Sequence, residues 1–255
     1  MRFFRLTLAY DGTDFSGWQW QPQQRTVQGV VEAAIKGVTR ESLRVVGSGR
    51  TDAGVHALGQ LVSFASATTL DAETLGRALN ANLPRDVAVL DTAEAPPEFN
   101  AIDHAISKQY RYLIQEGPLQ DVFSRRYAWH LRTNLRDCEM HEAAQALLGE
   151  HDFKSYESAG SRRVSTVRVI HAFTVQRRNY QDGERVVVEV EADGFLYNMV
   201  RNLVGTLVEV GKGKQPPDWP RSILADRDRR LAGMTAPPQG LFLACVKYEY
   251  PTATP

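Results

Sequence analysis

The sequence predicts an α+β fold with antiparallel sheets. Apolar residues alternate at Phe4, Leu6 and Leu8, the period-2 pattern of a half-buried strand. Apolar residues recur at helical spacing from Val27 to Val38, which indicates an amphipathic helix. Such patterns continue through the 255 residues with hairpin-like strand neighbours and no repeating βαβ unit, which favours α+β. The two halves have similar element content, so we expect two lobes, over residues 1–104 and 105–255.

Each element of the first half has a local signal. Thr26 can cap the first helix and Pro84 can end the second. In order, we expect a strand at Phe4–Tyr10, a helix from Val27 to Val38, strands at Leu43–Val46 and Gln60–Phe64, a helix at Asp71–Asn82, and a strand at Asp86–Leu90.

The second half repeats this mixture of strand and helix patterns. Asn134 can cap a helix that runs through Cys138 to Leu147, and Phe195 to Val210 reads as a long amphipathic helix. The expected strands are Tyr110–Ile114, Tyr127–Leu131, Val169–Val175, Val186–Val190 and Leu241–Val246.

Composition sets broad limits. The chain is 43% hydrophobic and 24% charged, with 30 basic and 30 acidic residues, as in a globular protein without a membrane span. Zero net charge argues against an overall basic surface but allows a basic cleft. Cys138 and Cys245 fit reduced core residues. The first residues form a strand pattern without a cleavage site, so we expect a cytoplasmic protein.

The segment Gly47–Ala57 places one carboxylate, Asp52, in a glycine-rich turn between two predicted strands. Glycines at 47, 49 and 54 permit tight backbone and close approach of a ligand. Asp52 could be a simple turn residue that bonds to its own backbone. The glycines do not fit a G-x-G-x-x-G or P-loop pattern, which argues against a phosphate cradle. We therefore regard Asp52 as a candidate catalytic residue.

Five motifs in order resemble the tRNA pseudouridine synthase A family over nearly the whole chain. They are Tyr10-Asp-Gly-Thr-Asp-Phe-Ser-Gly-Trp-Gln19, Gly49-Arg-Thr-Asp-Ala-Gly-Val-His-Ala57, Lys108-Gln-Tyr-Arg-Tyr112, Gly194-Phe-Leu-Tyr-Asn-Met-Val-Arg-Asn-Leu-Val-Gly205 and Ala236-Pro-Pro-Gln-Gly-Leu-Phe-Leu243. The resemblance implies an isomerase that converts uridine to pseudouridine at positions 38, 39 and 40 of the tRNA anticodon arm. It also implies the pseudouridine synthase fold, with a catalytic cleft between two lobes, and a homodimer.

The resemblance assigns roles to four residues. Asp52 matches the family's essential aspartate, the expected nucleophile, and Arg201 matches its ion-pair partner. Arg50 is expected to hold the flipped nucleotide, and Tyr110 to stack on the target base. Tyr112, on the same strand face as Tyr110, is expected to be structural. The reaction requires neither a cofactor nor a metal, and the six histidines, including His56, show no ligand spacing.

Other interpretations of these residues stay open at this stage. Arg201 could be a solvated helix charge, Arg50 a phosphate contact and Tyr110 a core residue. A non-catalytic tRNA-binding or tRNA-folding protein is the alternative function, since it would need the basic and aromatic surfaces alone. Basic residues available for tRNA are Arg125, Arg126, Arg162, Arg163, Arg168, Arg177, Arg178, Lys212 and Lys214.

Overall fold

A computed structural model describes residues 1–160, 165–180 and 183–249. These residues form two compact units, one made of residues 1–106 together with 242–249 and the other of residues 107–241. The last strand of the chain therefore belongs to the first unit. Within the described ranges, no helix is long and apolar enough to cross a membrane.

The elements alternate between strands and helices along the chain. The strands are β1 (Arg2–Tyr10), β2 (Val46–Gly47), β3 (His56–Ser66), β4 (Val87–Ala95), β5 (Ala105–Glu116), β6 (Trp129–Leu131), β7 (Gly149–Asp152), β8 (Val167–Tyr180), β9 (Gly183–Ala192) and β10 (Leu241–Tyr248). The α-helices are α1 (Val27–Thr39), α2 (Ala72–Asn82), α3 (Asp137–Gln145), α4 (Met199–Gly211) and α5 (Trp219–Asp226). The α+β expectation is thus confirmed.

The first unit is a sheet with the strand order β4-β1-β3-β10. Strand β1 pairs antiparallel with β3 and β4, whereas β10 pairs with β3 in parallel at Phe242 and Leu243. The predicted alternation of β1 holds, because Phe4, Leu6 and Leu8 are fully buried. Burial of such side chains contributes roughly 1.5–3 kcal/mol each before entropy is counted.

The predicted cap of the first helix is confirmed, and the second helix has a cap at Asp71, which was expected to be its first residue. Thr26 accepts a hydrogen bond from the Gly29 amide at the start of α1, and Asp71 accepts one from the Thr74 amide at the start of α2. Each cap satisfies an amide that the first helical turn leaves without a partner. Local sequence therefore determines where these helices begin.

The second unit has the strand order β5-β9-β8-β7, antiparallel throughout, with β6 added in parallel to β5. The predicted inward face of the long helix is confirmed, because Met199, Leu203, Leu207 and Val210 are fully buried. Helix α3 contacts both β8 and α4, so the unit has a packed core of its own.

Several expectations about local structure are wrong; one is the start of the long helix, which was expected at Phe195 and lies at Met199. Strand β2 covers only Val46–Gly47, since only these residues pair with β3. Asn134 does not cap α3, which begins at Asp137 with Arg136 at the N-cap position and without a side-chain cap hydrogen bond. Cys138 is exposed on α3 rather than buried in the core, and Cys245 is half-buried.

Candidate active site

Asp52 lies at the first position of a tight turn between β2 and β3. Its carbonyl accepts a hydrogen bond from the Val55 amide over 3.1 Å. Gly54, the third residue of this turn, has a φ of 78°, a conformation that favours glycine. The Asp52 side chain is half-buried. Of the three glycines expected to permit tight backbone in this loop, Gly54 is the one with a positive φ.

The residue before Asp52 is anchored by the N-terminal motif. The hydroxyl groups of Thr51 and Tyr10 lie 2.8 Å apart in a buried hydrogen bond, and the Trp18 amide donates to the Thr51 carbonyl over 2.9 Å. Gly17 permits this approach, because a Cβ there would lie 2.8 Å from the Thr51 carbonyl oxygen. The N-terminal motif thus supports the loop that carries Asp52.

A second pair of buried side chains fixes the start of the same loop. The Ser48 hydroxyl donates to Gln60 Oε1 and Gln60 Nε2 donates to the Gly49 carbonyl, both over 2.6 Å. Ser48 and Gln60 are almost fully buried, so the bond between them is shielded from water. Arg50 follows Gly49 directly and is exposed. The loop therefore presents a cation and a carboxylate two residues apart on a fixed backbone.

His56 has a packing environment. Its ring is buried and stacks on Phe242, with ring centroids 4.7 Å apart. The Gly12 amide donates to its Nδ1 atom over 3.0 Å. Over the parts of the chain that the structure describes, no group of three or more His, Cys, Asp or Glu residues could hold a metal ion.

Tyr110 lies on β5 in the second unit, opposite Val190 of β9. The ring is buried and meets Phe195 edge to face, with centroids 5.1 Å apart and planes at 86°. Phe195 precedes α4, which begins only at Met199 because Asn198 has a φ of 58°. The sequence analysis did not predict this contact. The signal that could have indicated it is the aromatic residue Phe195 next to Gly194 in the motif Gly194–Gly205.

Tyr112 occupies a fully enclosed position on the same strand. Its hydroxyl donates to the Pro237 carbonyl over 2.7 Å and its ring meets Trp129 edge to face. Burial raises the pKa of the Tyr112 phenol, and the nearby positive charge of Arg201 opposes part of this rise. These contacts agree with the structural role expected for Tyr112.

Arg201 lies in the first turn of α4 and is held by two neutral acceptors. Its Nε donates to the Ala236 carbonyl over 2.7 Å, and its Nη1 donates to Asn198 Oδ1 over 2.9 Å. Asn198 is the N-cap residue, yet its side chain does not cap the helix. A cation at a helix N-terminus destabilises the helix by about 0.3–1 kcal/mol. The stability of α4 therefore does not explain why an arginine occupies position 201.

Several of the basic residues considered for tRNA contact are engaged in ion pairs. Arg177 is paired with Glu116, Asp137 and Glu184, and Arg178 with Glu189. Lys212 and Lys214 both lie 3.0 Å from Glu209. Arg162 and Arg163 fall outside the described residues. The ion pairs reduce the positive charge that the four paired residues offer to phosphates.

The structure therefore groups the predicted site residues within their own units. In the first unit, Arg50 and Asp52 share one anchored loop. In the second, Tyr110 packs on Phe195, and Arg201 is bound to the backbone at Ala236, the first residue of the motif Ala236–Leu243, which we call the closing motif. An anchored carboxylate, an oriented guanidinium and an aromatic strand residue are groups that suit chemistry on a nucleoside.

The sequence is similar to known RNA-modifying enzymes along almost its entire length. The family model for tRNA pseudouridine synthase matches residues 7–102 and 143–249. The tRNA pseudouridine synthase A of Brevibacillus brevis is 47% identical over 248 residues, which cover 97% of this chain and 100% of that protein. The enzyme of the same name from Moorella thermoacetica is 46% identical over 250 residues, with the same coverage.

A solved structure titled as a Cbf5-Nop10-Gar1 complex is also similar, with a TM-score of 0.34 and 13% identity over 80% of this chain and 53% of that one. This likeness is too weak to bear on function.

The family model and the two similar enzymes define the class of protein as an RNA-modifying isomerase. The chain belongs to the tRNA pseudouridine synthase family. It is therefore an isomerase that acts on uridine in tRNA, rather than the non-catalytic tRNA-binding protein considered as the alternative.

Proposed function

We propose that this enzyme converts uridine to pseudouridine at positions 38, 39 and 40 of the tRNA anticodon stem-loop, with Asp52 as nucleophile and without a cofactor. The observation that carries the proposal is the Asp52 loop. Hydrogen bonds to the buried side chains of Gln60 and Tyr10 fix Gly49 and Thr51, on either side of Arg50, while Asp52 stays half-buried. Such fixed backbone is what a catalytic group needs to meet its substrate in one geometry.

The reaction balances without an external reactant. The N1–C1′ bond of uridine breaks and a C5–C1′ bond forms, while the C5 proton leaves and N1 takes up a proton. The Asp52 carboxylate assists cleavage of the N1–C1′ bond in one of two ways. It acts as a nucleophile at C1′ or as a base that removes the C2′ proton. Both routes use the same ionised side chain.

Arg201 is proposed as the cation that pairs with the Asp52 carboxylate. An ionised carboxylate in a site that excludes water needs a nearby positive charge. The first turn of α4 favours an anion beyond the helix end, and the two bonds to Asn198 and Ala236 orient the guanidinium. An oriented guanidinium can offer two donors to one carboxylate.

Arg50 and Tyr110 are proposed to hold the target base once it has left its stack. A uridine in a stem must leave its stack before it can react, at a cost of a few kcal/mol. Arg50 is exposed at the edge of the loop, where a guanidinium can occupy the place of the extruded base. The Tyr110 ring provides a stacking face that offsets part of the cost, and Phe195 fixes the ring plane.

Three further properties belong to the same proposal. The tRNA is held by shape and phosphate contacts rather than by a base code, so binding should weaken as salt rises. The enzyme acts as a homodimer in the cytoplasm. Sedimentation of the purified protein tests the homodimer, and a monomer at assay concentration would contradict it.

The experiment that tests the positions uses an unmodified tRNA transcript labelled with tritium at uracil C5. Three transcripts each keep one uridine among positions 38, 39 and 40, and a fourth keeps none. We expect tritium release from the first three and none from the fourth, in buffer containing EDTA. Release from the fourth transcript would place the reaction elsewhere in the tRNA.

A further inference from the structure

Helix α4 is in backbone contact with the segment that leads into the closing motif. A Cβ on Gly205 would lie 1.7 Å from the Met234 carbonyl oxygen, and one on Gly233 would lie 2.7 Å from the Gly205 carbonyl oxygen. A side chain at position 205 or 233 would force helix α4 and residues 233–236 apart. The glycines therefore permit residues 233–236 to lie directly on the helix.

A buried amide on the helix binds this segment through side chains. Asn202 is fully buried, and its Oδ1 accepts from Thr235 Oγ1 over 2.7 Å and from Arg229 Nη2 over 2.8 Å. Its Nδ2 donates to the Tyr156 carbonyl over 2.8 Å. The Asn202 amide thus has its hydrogen-bonding capacity satisfied, which makes its orientation fixed.

A hydroxyl on the same helix forms a second attachment between α4 and residues 233–236. Thr206 Oγ1 donates to the Asn202 carbonyl over 2.7 Å and accepts from the Gly233 amide over 3.0 Å. We call Asn202, Thr206, Arg229, Gly233 and Thr235 the Asn202 clasp.

The clasp ends one residue before the backbone that orients Arg201. Ala236 follows Thr235, its amide donates to the Arg201 carbonyl over 3.0 Å, and its carbonyl accepts from Arg201 Nε over 2.7 Å. A shift of Thr235 would move this carbonyl and turn the guanidinium plane with it. Misplacement of a reacting group by about 1 Å can cost about a hundredfold in rate.

We infer that the Asn202 clasp positions Arg201 for catalysis, with Thr235 and Asn202 acting as positioning residues rather than catalytic ones. The inference rests on the proposed role of Arg201. It implies that the hydroxyl of residue 235 matters for turnover although no part of it needs to touch the substrate.

The test compares Thr235→Val, which keeps the shape but removes the hydroxyl, with Thr235→Ser, which keeps the hydroxyl. We expect Thr235→Val to lower the single-turnover rate about tenfold, with the Kd for tRNA within about twofold. Thr235→Ser should restore the rate to within about twofold of the wild type. Equal rates for Thr235→Val and the wild type would overturn the inference.

A control separates positioning from loss of stability. Ser107→Ala removes the hydrogen bond from the buried Ser107 hydroxyl to Glu191 Oε1 over 2.6 Å; Ser107 belongs to the same unit and lies on β5, outside the clasp. We expect it to lower the melting temperature as much as Thr235→Val does while the rate stays at the wild-type value. A parallel fall in rate for Ser107→Ala would show that general destabilisation explains the effect.

A double-mutant cycle separates this inference from the function it rests on. In an Arg201→Met background, Thr235→Val should cause no further loss of rate, because the group it positions is gone. If Arg201→Met alone keeps the wild-type rate, the proposed role of Arg201 fails. If Arg201→Met is slow and Thr235→Val still lowers the rate tenfold in that background, the clasp does not act through Arg201.

Should Thr235→Val not fold, Arg229→Met provides the same test, since it removes the other donor to Asn202 Oδ1. A folded Arg229→Met protein with a wild-type rate and wild-type tRNA affinity would contradict the inference.

Discussion

The hydroxyl of Tyr10 and the hydroxyl of Thr51 form a buried hydrogen bond of 2.8 Å. The bond joins the end of β1 to the residue that precedes Asp52. The two residues lie in separate sequence motifs 41 positions apart, so the structure gives a physical reason for their joint presence: the first motif supports the loop of the second.

Tyr10→Phe is expected to weaken both the fold and the reaction. The variant leaves the buried Thr51 hydroxyl without this partner, which should lower the free energy of unfolding by about 1–2 kcal/mol. It should also lower kcat several-fold, because Asp52 follows Thr51 directly. Urea unfolding and single-turnover kinetics measure the two effects.

Ser66→Ala is the matched control for Tyr10→Phe. It removes the bond of 2.8 Å from the buried Ser66 hydroxyl to Glu41 Oε1, in the same unit and at the end of β3 that does not adjoin the loop. We expect a similar loss of stability with an unchanged kcat. If both variants lose kcat in the same proportion, the Tyr10–Thr51 bond has no special role in the loop.

Arg201→Met should reduce turnover by about a hundredfold or more, because removal of one partner of a desolvated charge pair costs about 2–5 kcal/mol. Arg201→Lys keeps the charge but loses the planar fork, so it should fall between Arg201→Met and the wild type. The measurement is the single-turnover rate of tritium release at saturating enzyme. A wild-type rate for Arg201→Met would exclude the proposed ion pair.

Tyr110→Phe distinguishes stacking from proton transfer. A phenylalanine retains the ring that meets Phe195 at 86° but lacks the hydroxyl. If the phenol accepts no proton in the reaction, the rate should stay within about threefold of the wild type, and Tyr110→Ala should lose about 1–3 kcal/mol of base stacking in tRNA affinity. A large loss of rate in Tyr110→Phe with normal tRNA binding would instead assign the C5 proton to the phenol.

Stability is expected to fall in alkaline solution because of buried phenols. Burial raises the pKa of Tyr112 above its ordinary value of 10.0, despite the opposing charge of Arg201. Above pH 10 the unfolded chain releases this proton and the folded protein keeps it, so the stabilisation is complete below pH 10 and declines as the pH rises further.

The size of this decline can be measured by difference. Each such phenol should contribute a slope of about 1 kcal/mol per pH unit above pH 10. Guanidinium unfolding of the wild type and Tyr112→Phe between pH 9 and 11.5 should show a shallower slope for the variant. Parallel slopes would mean that Tyr112 ionises as readily in the folded protein as in the unfolded chain.

Elements with local signals could be predicted from the sequence, and those set by distant contacts could not. Thr26 caps its helix as predicted because a cap involves neighbouring residues only. Helix α3 instead begins at Asp137 without a side-chain cap hydrogen bond, and the Arg136 amide before it donates to the distant Gly211 carbonyl, a contact that no local pattern reveals. Strand β2 is shorter than predicted because only Val46 and Gly47 pair with β3, and pairing with a distant strand is not visible in a local pattern.

The same division applies to the candidate site. Asp52, Arg50, Tyr110 and Arg201 were found from motifs, and their roles stay predictions. The supports around them could not be found in this way. The Tyr110–Phe195 contact and the approach of Met234 to Gly205 join residues that are distant in sequence, so only the folded chain shows them.

The most direct test of the account compares wild type, Asp52→Asn and Asp226→Asn on one tritium-labelled transcript. Asp226 is an exposed acid at the end of α5 and serves as the control. We predict that Asp52→Asn lowers tritium release at least about a thousandfold while its Kd for tRNA stays within about threefold, and that Asp226→Asn matches the wild type. Appreciable release by Asp52→Asn would contradict the assignment of the nucleophile.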